Sequence, residues 1–352
     1  MAFSRIILKW YSENKRLLPW RSTKEPYKIW LSEIILQQTR VAQGTPYYLR
    51  FVETFPTVHD LSGASEEQVL KLWQGLGYYS RARNLHATAK MVVNDFGGIF
   101  PGTYNELLKL RGIGDYTASA IASICFDEPQ PVVDGNVYRV LARYFGIEIP
   151  INSAEGIKYF KELAREVMDG HSIRDYNQAI MEFGAVQCTP KKPNCLHCPL
   201  NTGCVALKNG QIDVLPVKVN KTKVKNRYFN YLVFVLGDKE EAKRTVFQQR
   251  KGKGIWQNLW EFPLLESEKT IGLKRVEDYV HQTMGLDEPL NVSRFNDKVM
   301  LHKLSHQHLH TFFWIVESKA QIDGSILISE IDNFAVPVLV ADFIETFKMS
   351  YF

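Results

Sequence analysis

Apolar residues recur at intervals of three and four positions through the first half of the chain. The pattern runs from about residue 27 to residue 144 and includes, for example, Val69, Leu72 and Trp73. Glycine or proline separates one apolar block from the next, and residues 151–187 continue the pattern. Because this spacing places apolar side chains on one face of a helix, it predicts a run of helices.

The pattern changes after Pro216. Within ten residues the chain contains five cations and no acid, namely Lys218, Lys221, Lys223, Lys225 and Arg227. So concentrated a charge favours a solvated linker over a packed element. Beyond it, three stretches rich in β-branched and aromatic residues predict strands, at residues 228–236, 245–249 and 311–316.

These patterns together predict the domain organisation. A mostly α region is expected over residues 1–217, a basic linker over 218–227 and an α+β domain over 228–352. A chain of 352 residues is long enough for two or three domains.

Composition is that of an ordinary folded protein. Hydrophobic residues make up 45% and charged residues 23%, which excludes disordered, collagen-like and disulfide-scaffold chains. The formal charge of +5 permits a nucleic-acid partner without requiring one. We find no secretory signal and no apolar run long enough to span a membrane, so we expect a soluble, cytoplasmic, monomeric protein, associated with the nucleoid if it is bacterial.

Four of the five cysteines lie within seventeen residues. They follow the pattern Cys188-x6-Cys195-x2-Cys198-x5-Cys204. Four thiolates so close in sequence are enough to surround one metal centre. The spacing alone fits a 4Fe-4S cluster and a zinc site equally well.

Two glycines, Gly112 and Gly114, form a tight turn between two helical patterns. Such a turn brings bare backbone and a helix N-terminus close to a phosphate, which indicates a helix-hairpin-helix motif. A plain glycine turn between packed helices is the alternative.

Two carboxylates occupy unusual surroundings. Glu33 is the one charged residue in the apolar segment 29–36, and Asp134 lies between Val133 and Gly135 at the start of a predicted helix. Burial raises the pKa of a carboxyl toward that of a general acid. Cleaving a glycosidic bond requires an acid and a second carboxylate that stabilises a cationic sugar, so the pair suggests a glycosylase. A helix-surface glutamate and a helix N-cap aspartate are the structural alternatives.

Several of these motifs occur in the order found in one known superfamily. Glu33–Arg40, Gly75–Arg81, the glycine hairpin, Val133–Val137 and the cysteine loop resemble the endonuclease III superfamily of DNA glycosylases. Within it, residues 1–215 closely resemble the MutY-type adenine DNA glycosylases. The resemblance implies a 4Fe-4S cluster on the four cysteines.

The resemblance also implies roles for individual residues. Glu33 would act as general acid and Asp134 would stabilise the sugar cation, with Tyr116 and Asn136 orienting them. Gln38 and Tyr78 match residues that wedge into the DNA strand. Arg21, Leu36 and Glu182 match positions in or beside the adenine pocket.

Tyr116 departs from the pattern of the strand-cutting members of the superfamily. Those members carry a lysine at this position, whose amine forms a Schiff base with the sugar. A phenol cannot form an imine. We therefore expect base removal with no strand cleavage, or with weak cleavage.

The second domain resembles a MutT-like recognition domain. Its glutamates are scattered, with no Arg and Glu cluster for magnesium, so we expect purine recognition without nucleotide hydrolysis. Ser305 and His306 match lesion-reading residues, whereas Leu304 stands where the family usually has Phe.

The sequence thus predicts a monofunctional glycosylase that removes adenine opposite 8-oxoguanine or guanine in double-stranded DNA. Three alternatives compete with it. An endonuclease III-like enzyme for oxidised pyrimidines is disfavoured by Tyr116 and the appended domain. A non-catalytic iron-sulfur DNA-binding protein is disfavoured because binding alone needs neither Glu33 nor Asp134. A nucleotide pyrophosphohydrolase is disfavoured because it would need an Arg and Glu cluster for magnesium.

Overall fold

A computed structural model of the chain describes residues 2–219, 224–237, 243–284 and 291–351. It divides into two compact units. The first comprises Met1–Ala64 and Arg83–Asn220, and the second comprises Ser65–Ala82 and Lys221–Phe352.

The predicted run of helices is confirmed. In chain order the helices up to residue 208 are α1 (Ala2–Asn14), α2 (Pro26–Leu36), α3 (Val41–Thr54), α4 (Val58–Gly63), α5 (Glu66–Trp73), α6 (Ser80–Phe96), α7 (Tyr104–Leu107), α8 (Asp115–Cys125), α9 (Gly135–Phe145), α10 (Ala154–Val167), α11 (Ile173–Val186) and α12 (Val205–Lys208). Helix α5 belongs to the second unit, and α6 begins there.

Helix α2 is the buried centre of the first unit. Proline at its first position starts the helix with a preset φ, and residues Tyr27 and Ile29–Ile35 are all buried. A helix that is apolar on every side must be covered by neighbours. Helices α3 and α8 pack against it, so the polar residues Ser32 and Glu33 of α2 are buried.

Helices α9 and α11 approach each other closely. A Cβ on Gly184 of α11 would lie 2.6 Å from the Cβ of Asn136 on α9, so only glycine permits this contact. The Asp134 side chain caps the N-terminus of α9, and Gly146 ends the helix at a φ of 69°. Helix α11 also packs against α1 and α8.

The second unit is the predicted α+β domain. Its described strands are β1 (Lys225–Leu236), β2 (Arg244–Thr245), β3 (Gln248–Gln249), β4 (Trp260–Glu261), β5 (Leu264–Ser267), β6 (Asn291–Arg294), β7 (Met300–Lys303), β8 (Gln307–Ser318) and β9 (Ile326–Leu327), and its further helices are α13 (Leu273–Met284) and α14 (Val338–Tyr351). Strands β1 and β8 run parallel along their whole length, from Lys225 opposite Gln307 to Leu236 opposite Ser318.

The other strands of the main sheet flank this parallel pair. Strands β5 and β2 are antiparallel to β1, β6 and β7 are antiparallel to β8, and β9 pairs with β2. Two predicted strands, 228–236 and 311–316, lie within β1 and β8. The third, 245–249, is instead divided between β2 in the main sheet and β3, which pairs with β4 in a separate ribbon.

The structure differs from the predicted boundaries in two places. Strand β1 begins at Lys225 inside the expected linker, and Arg227 binds both carboxylate oxygens of Glu266 at 2.7 and 2.6 Å. This ion pair lets a charged residue join a sheet. Linker residues 220–223 lie outside the described part of the chain. In addition, residues 65–82 fold with the second unit, whereas the expected first domain was continuous.

No helix among the described residues is both long and apolar enough to cross a membrane.

Candidate active site

A cavity of about 670 Å³ opens in the first unit where four helices converge. Side chains of α2 and α8, the N-terminus of α9 and residues of α11 form its walls. Its lining includes nine of the residues predicted from sequence: Arg21, Glu33, Leu36, Gln38, Gly114, Tyr116, Asp134, Asn136 and Glu182. Tertiary folding thus joins segments that are up to 161 residues apart.

Glu33 projects into this cavity from the buried helix α2. It is 9% exposed. Burial raises the pKa of Glu33 to about 7, assisted by the nearby Asp134 and opposed by a hydrogen bond with Tyr116 and by the charge of Arg21. A carboxyl with such a pKa is poised to give and take a proton near neutral pH.

Tyr116, on the first turn of α8, is the hydrogen-bond partner of Glu33. Its hydroxyl also lies 3.5 Å from Met181 Sδ. A thioether is a weak acceptor, so the carboxylate is the better partner for the hydroxyl proton. Burial, followed by the charges of Glu33 and Asp134, raises the pKa of Tyr116 well above its usual value. The phenol therefore stays protonated and donates.

Asp134 combines two roles at the N-terminus of α9. Its Oδ1 accepts hydrogen bonds from the backbone N–H groups of Asn136 (2.9 Å) and Val137 (2.8 Å), and its Oδ2 accepts one from Asn136 Nδ2 (2.7 Å). Asp134 is thus a helix N-cap, as the structural alternative held, and its side chain also lines the cavity. Burial raises the pKa of Asp134, although these hydrogen bonds oppose the shift.

Asn136 is itself held in place. Its Oδ1 accepts a hydrogen bond from Arg139 Nη2 at 2.9 Å, which fixes the amide so that Nδ2 points at Asp134. The arginine also donates to the Gly184 carbonyl at 2.6 Å. The Arg139 guanidinium therefore links α9 to α11 and, through Asn136, to the Asp134 carboxylate.

Arg16 is a residue that sequence reasoning missed. It donates through Nε and Nη2 to both oxygens of the buried Glu182, at 2.6 and 2.7 Å, and Arg21 adds a third bond at 2.8 Å. Burial alone would raise the pKa of Glu182, but these bonds lower it to about 2. Glu182 is thus a fixed anion, the opposite of Glu33. The basic and polar segment 13–16 contains no pattern that marks Arg16 as a cavity residue.

The other predicted residues of this unit divide between the cavity and the hairpin. Gln38 is exposed at a φ of 55°, an uncommon conformation for a side-chain-bearing residue. Gly114 lines the cavity and begins α8, whereas Gly112 does not line it. Gly112 adopts a φ of 75°, and a Cβ there would lie 2.7 Å from the Cβ of Asn84.

Comparisons with known proteins show the family to which the chain belongs. Residues 31–166 match a family model described as "HhH-GPD superfamily base excision DNA repair protein", and residues 233–346 match one described as "NUDIX domain". An adenine DNA glycosylase of Buchnera aphidicola subsp. Baizongia pistaciae (strain Bp) is 35% identical over 331 residues, covering 92% of this chain and 88% of that protein. The chain belongs to the adenine DNA glycosylase family.

Solved structures resemble the helical part of this family member. A thermostable thymine-DNA glycosylase matches with a TM-score of 0.56 and 32% identity over 59% of this chain and 96% of its own. An endonuclease III in a non-covalent complex with DNA matches with a TM-score of 0.52 and 21% identity, over 59% and 95% of the two chains. The second match shows the fold alone. The predicted fold class, a helical glycosylase region followed by a MutT-like α+β domain, is confirmed.

Three residues predicted for DNA contact in this adenine DNA glycosylase family member lie in the second unit and do not line the cavity. Tyr78 is 47% exposed on the loop between α5 and α6. Ser305 and His306 are exposed in the turn between β7 and β8, with Ser305 Oγ 3.1 Å from His306 Nδ1. Leu304 N donates to Gln307 O at 2.8 Å and closes the turn.

The four cysteines lie in the loop that follows α11. Cys188, Cys195, Cys198 and Cys204 are partly buried and close enough to interact electrostatically. Backbone N–H groups of Leu200 and Leu207 point at the Cys198 and Cys204 sulfurs, and Arg143 Nη1 is 3.5 Å from Cys188 Sγ.

This donor set fits a group that needs four thiolates and hydrogen bonds to sulfur. Across the described residues, however, no three His, Cys, Asp or Glu side chains are close enough to hold a metal ion as they stand. The cluster therefore stays a prediction.

Two glutamates of the second unit, Glu261 and Glu266, are paired with arginine. Buried Glu261 accepts from Arg250 Nη1 at 2.8 and 3.1 Å and from the Tyr231 hydroxyl at 3.0 Å. Glu266 is bound by Arg227. Guanidinium groups therefore occupy oxygens of both carboxylates. The absence of nucleotide hydrolysis stays a prediction.

Proposed function

We propose that the chain removes adenine paired with 8-oxoguanine or guanine from double-stranded DNA by hydrolysing the N-glycosidic bond, and that it leaves the strand uncut. One observation carries the proposal: Glu33, a carboxyl with a pKa of about 7, shares a cavity with Asp134. An acid and a second carboxylate are the pair that glycosidic cleavage requires.

The reaction begins with the base outside the duplex, since chemistry on a base requires it to leave the stack. The cavity, at about 670 Å³, is large enough to admit a purine with its sugar. Protonated Glu33 donates its proton to a ring nitrogen of adenine, which makes the base a better leaving group. The Tyr116 hydroxyl then stabilises the carboxylate that remains.

The sugar becomes cationic as the bond breaks. Asp134 supplies the compensating negative charge. Hydrogen bonds from the backbone N–H groups of Asn136 and Val137 hold its carboxylate in one orientation. Ionised Glu33 can take a proton from the water that attacks the sugar, which regenerates the acid and completes hydrolysis.

Two features support base removal without strand cleavage. Among the described residues that line the cavity there is no lysine, so no primary amine faces the sugar. Lys161, on the neighbouring helix α10, donates to Asp115 Oδ2, Ser119 Oγ and the Pro131 carbonyl at 3.0, 2.8 and 2.8 Å. A fully engaged, protonated amine is a poor nucleophile.

The four cysteines would hold a 4Fe-4S cluster, whose role when bound is to tie the loop 188–204 together. Arg139 and Arg143 connect this loop to α9 through the carbonyls of Cys188, Thr189 and Pro190. Iron analysis of anaerobically purified protein tests this part of the proposal. Cys198→Ser should lower the iron content, and zinc without iron in the wild type would refute the cluster.

A strand-cleavage assay tests the reaction. Labelled duplexes carry adenine opposite 8-oxoguanine, guanine or thymine, and each is analysed with and without alkali. We expect cleavage only after alkali, fastest opposite 8-oxoguanine. A duplex that carries thymine glycol is assayed alongside the adenine duplexes. Its preferential cleavage would instead favour the endonuclease III-like enzyme for oxidised pyrimidines.

A further inference from the structure

The loop that carries Tyr78 has an unusual backbone. Gly75, Gly77 and Tyr78 adopt φ values of 96°, 71° and 48°. A left-handed conformation is unfavourable for a residue with a Cβ, so the surrounding structure must hold Tyr78 in place. Its ring is 47% exposed, so its own burial does not supply that support.

One side of the loop is held by neighbours in sequence. The buried Trp73 donates through Nε1 to the Gly77 carbonyl at 3.0 Å. Arg81 Nη2 approaches the Leu76 and Gly77 carbonyls at 3.4 and 3.3 Å, and its guanidinium lies over the Trp73 and Tyr78 rings.

The other side is held by a segment more than 250 residues away in sequence. Lys71 Nζ donates to the carbonyls of Asp332 (2.5 Å) and Phe334 (2.9 Å). Gln74 Oε1 accepts from the Val336 N–H at 3.3 Å, and the Tyr79 hydroxyl donates to the Val336 carbonyl at 3.2 Å.

These four contacts all involve the main chain of residues 332–336, and that segment is firmly fixed. Ala335 and Val336 are 1% and 3% exposed. The Ala335 carbonyl accepts from the Trp260 N–H at 2.8 Å, which ties the segment to β4. The Tyr79 hydroxyl also lies 3.4 Å from the Gly75 N–H, so it links the segment directly to the first left-handed residue.

We propose that Lys71, Gln74 and Tyr79 are positioning residues, which bind the main chain of residues 332–336 and thereby hold the loop 75–78 in the conformation that presents Tyr78 to DNA. The carboxy-terminal part of the chain would then influence DNA recognition through this loop as well as through its own surface. This inference rests on the proposed function, because it assigns Tyr78 to lesion-containing DNA.

The first experiment requires no catalysis. Hydrogen exchange of the loop amides is measured in the free protein for wild type, Gln74→Ala and Tyr79→Phe. We expect exchange at residues 75–78 to become about tenfold faster in both variants. Tyr159→Phe, which alters an exposed tyrosine of the first unit, is the matched control. Unchanged exchange in both variants would refute the positioning role.

The second experiment asks whether the residues act through Tyr78. Binding to a duplex with adenine opposite 8-oxoguanine is measured for Tyr79→Phe, Tyr78→Asn and the double variant. Asparagine tolerates the left-handed conformation but has no ring. We expect Tyr79→Phe to weaken binding three- to tenfold alone and to have no further effect beside Tyr78→Asn.

An equal loss in both backgrounds would mean that Tyr79 acts independently of Tyr78, which would overturn the proposal. Failure of the proposed function is distinguishable from this result. If the wild type did not excise adenine, the reaction would be wrong, whereas the exchange experiment would still decide whether residues 332–336 hold the loop.

Discussion

At the scale of single residues, two buried glutamates of one cavity have opposite protonation behaviour because their hydrogen-bond partners differ. Glu33 has one phenol as its hydrogen-bond donor, and desolvation raises its pKa to about 7. Glu182 is also buried, yet two guanidinium groups lower its pKa to about 2. Charge-assisted hydrogen bonds therefore decide which carboxyl keeps a proton.

Replacing Glu33 by Gln separates catalysis from stability. The amide cannot transfer a proton, so single-turnover excision should fall at least about a hundredfold while DNA binding persists. A folded-state pKa of about 7 lies above the unfolded value of 4.5, so the stability that Glu33 contributes is complete below pH 4.5 and is lost as pH rises through 7.

The expected loss is on the order of 3 kcal/mol at pH 8, since each tenfold change in proton affinity is about 1.4 kcal/mol. Glu33→Gln should therefore melt at a higher temperature than wild type at pH 8. Equal melting temperatures at pH 8, or near-normal excision, would contradict the assignment.

Tyr116→Phe tests the hydrogen bond to Glu33. That bond stabilises the ionised carboxylate, so its loss should raise the pKa of Glu33 further. The alkaline fall of the excision rate, which reports deprotonation of the acid, should then shift to higher pH. A pH–rate profile at single turnover measures it, with Tyr159→Phe as the control that should leave the profile unchanged.

At the scale of elements, the glycine hairpin before α8 contains two glycines with different reasons for being glycine. Gly112 has a φ of 75° and no space for a Cβ, whereas Gly114 has a φ of −95° and no atom within 4 Å of the position that a Cβ would occupy. The fold requires the first. Nothing in the described structure requires glycine at position 114. Its open backbone would instead allow a DNA phosphate to approach.

The two alanine variants should therefore behave differently. Gly112→Ala should destabilise the protein by about 1 to 3 kcal/mol, because it combines backbone strain with a clash against Asn84. Gly114→Ala should leave the melting temperature within about 2 °C of wild type but weaken DNA binding. Thermal melts and binding to undamaged duplex measure both. Normal binding by a folded Gly114→Ala would argue against a phosphate at this backbone.

At the scale of the whole molecule, the proposed chemistry lies in one unit and the proposed lesion-reading residues in the other. Adenine is a normal base, so selectivity must come from its partner across the duplex. An exposed hydroxyl and imidazole at Ser305 and His306 can hydrogen-bond the C8 carbonyl and N7 proton that distinguish 8-oxoguanine from guanine.

Combining Ser305→Ala with His306→Ala should reduce the preference for adenine opposite 8-oxoguanine over adenine opposite guanine by on the order of 1 to 3 kcal/mol. Single-turnover rates and affinities on the two duplexes provide the ratio. Ser12→Ala with His171→Ala, which alters exposed residues of the first unit, is the control. An unchanged ratio would assign lesion recognition to Gln38 and Tyr78 instead.

Local chemistry explains what could be predicted from the sequence. Helical periodicity, the glycine turn and the isolated charge of Glu33 are short-range patterns, and the structure has helices, a left-handed Gly112 and a buried Glu33 at those positions. The cysteine spacing is also a short-range pattern, but the cluster that it suggests stays a prediction. The order of those motifs was enough to identify the superfamily, and Glu33 and Asp134 were recognised because each stands beside apolar residues in sequence.

Long-range contacts decided the rest. Glu182 on α11 binds Arg16 at the cavity. Residues 65–82 are tied to the rest of the second unit by bonds from Lys71, Gln74 and Tyr79 to residues 332–336 and from Asn258 to Glu66. The charge of Arg227 predicted a solvated linker, but its ion pair with Glu266 allows it to lie in strand β1. A sequence shows which groups need partners, whereas the tertiary structure decides which distant partners satisfy them, because burial makes an unpaired polar group costly.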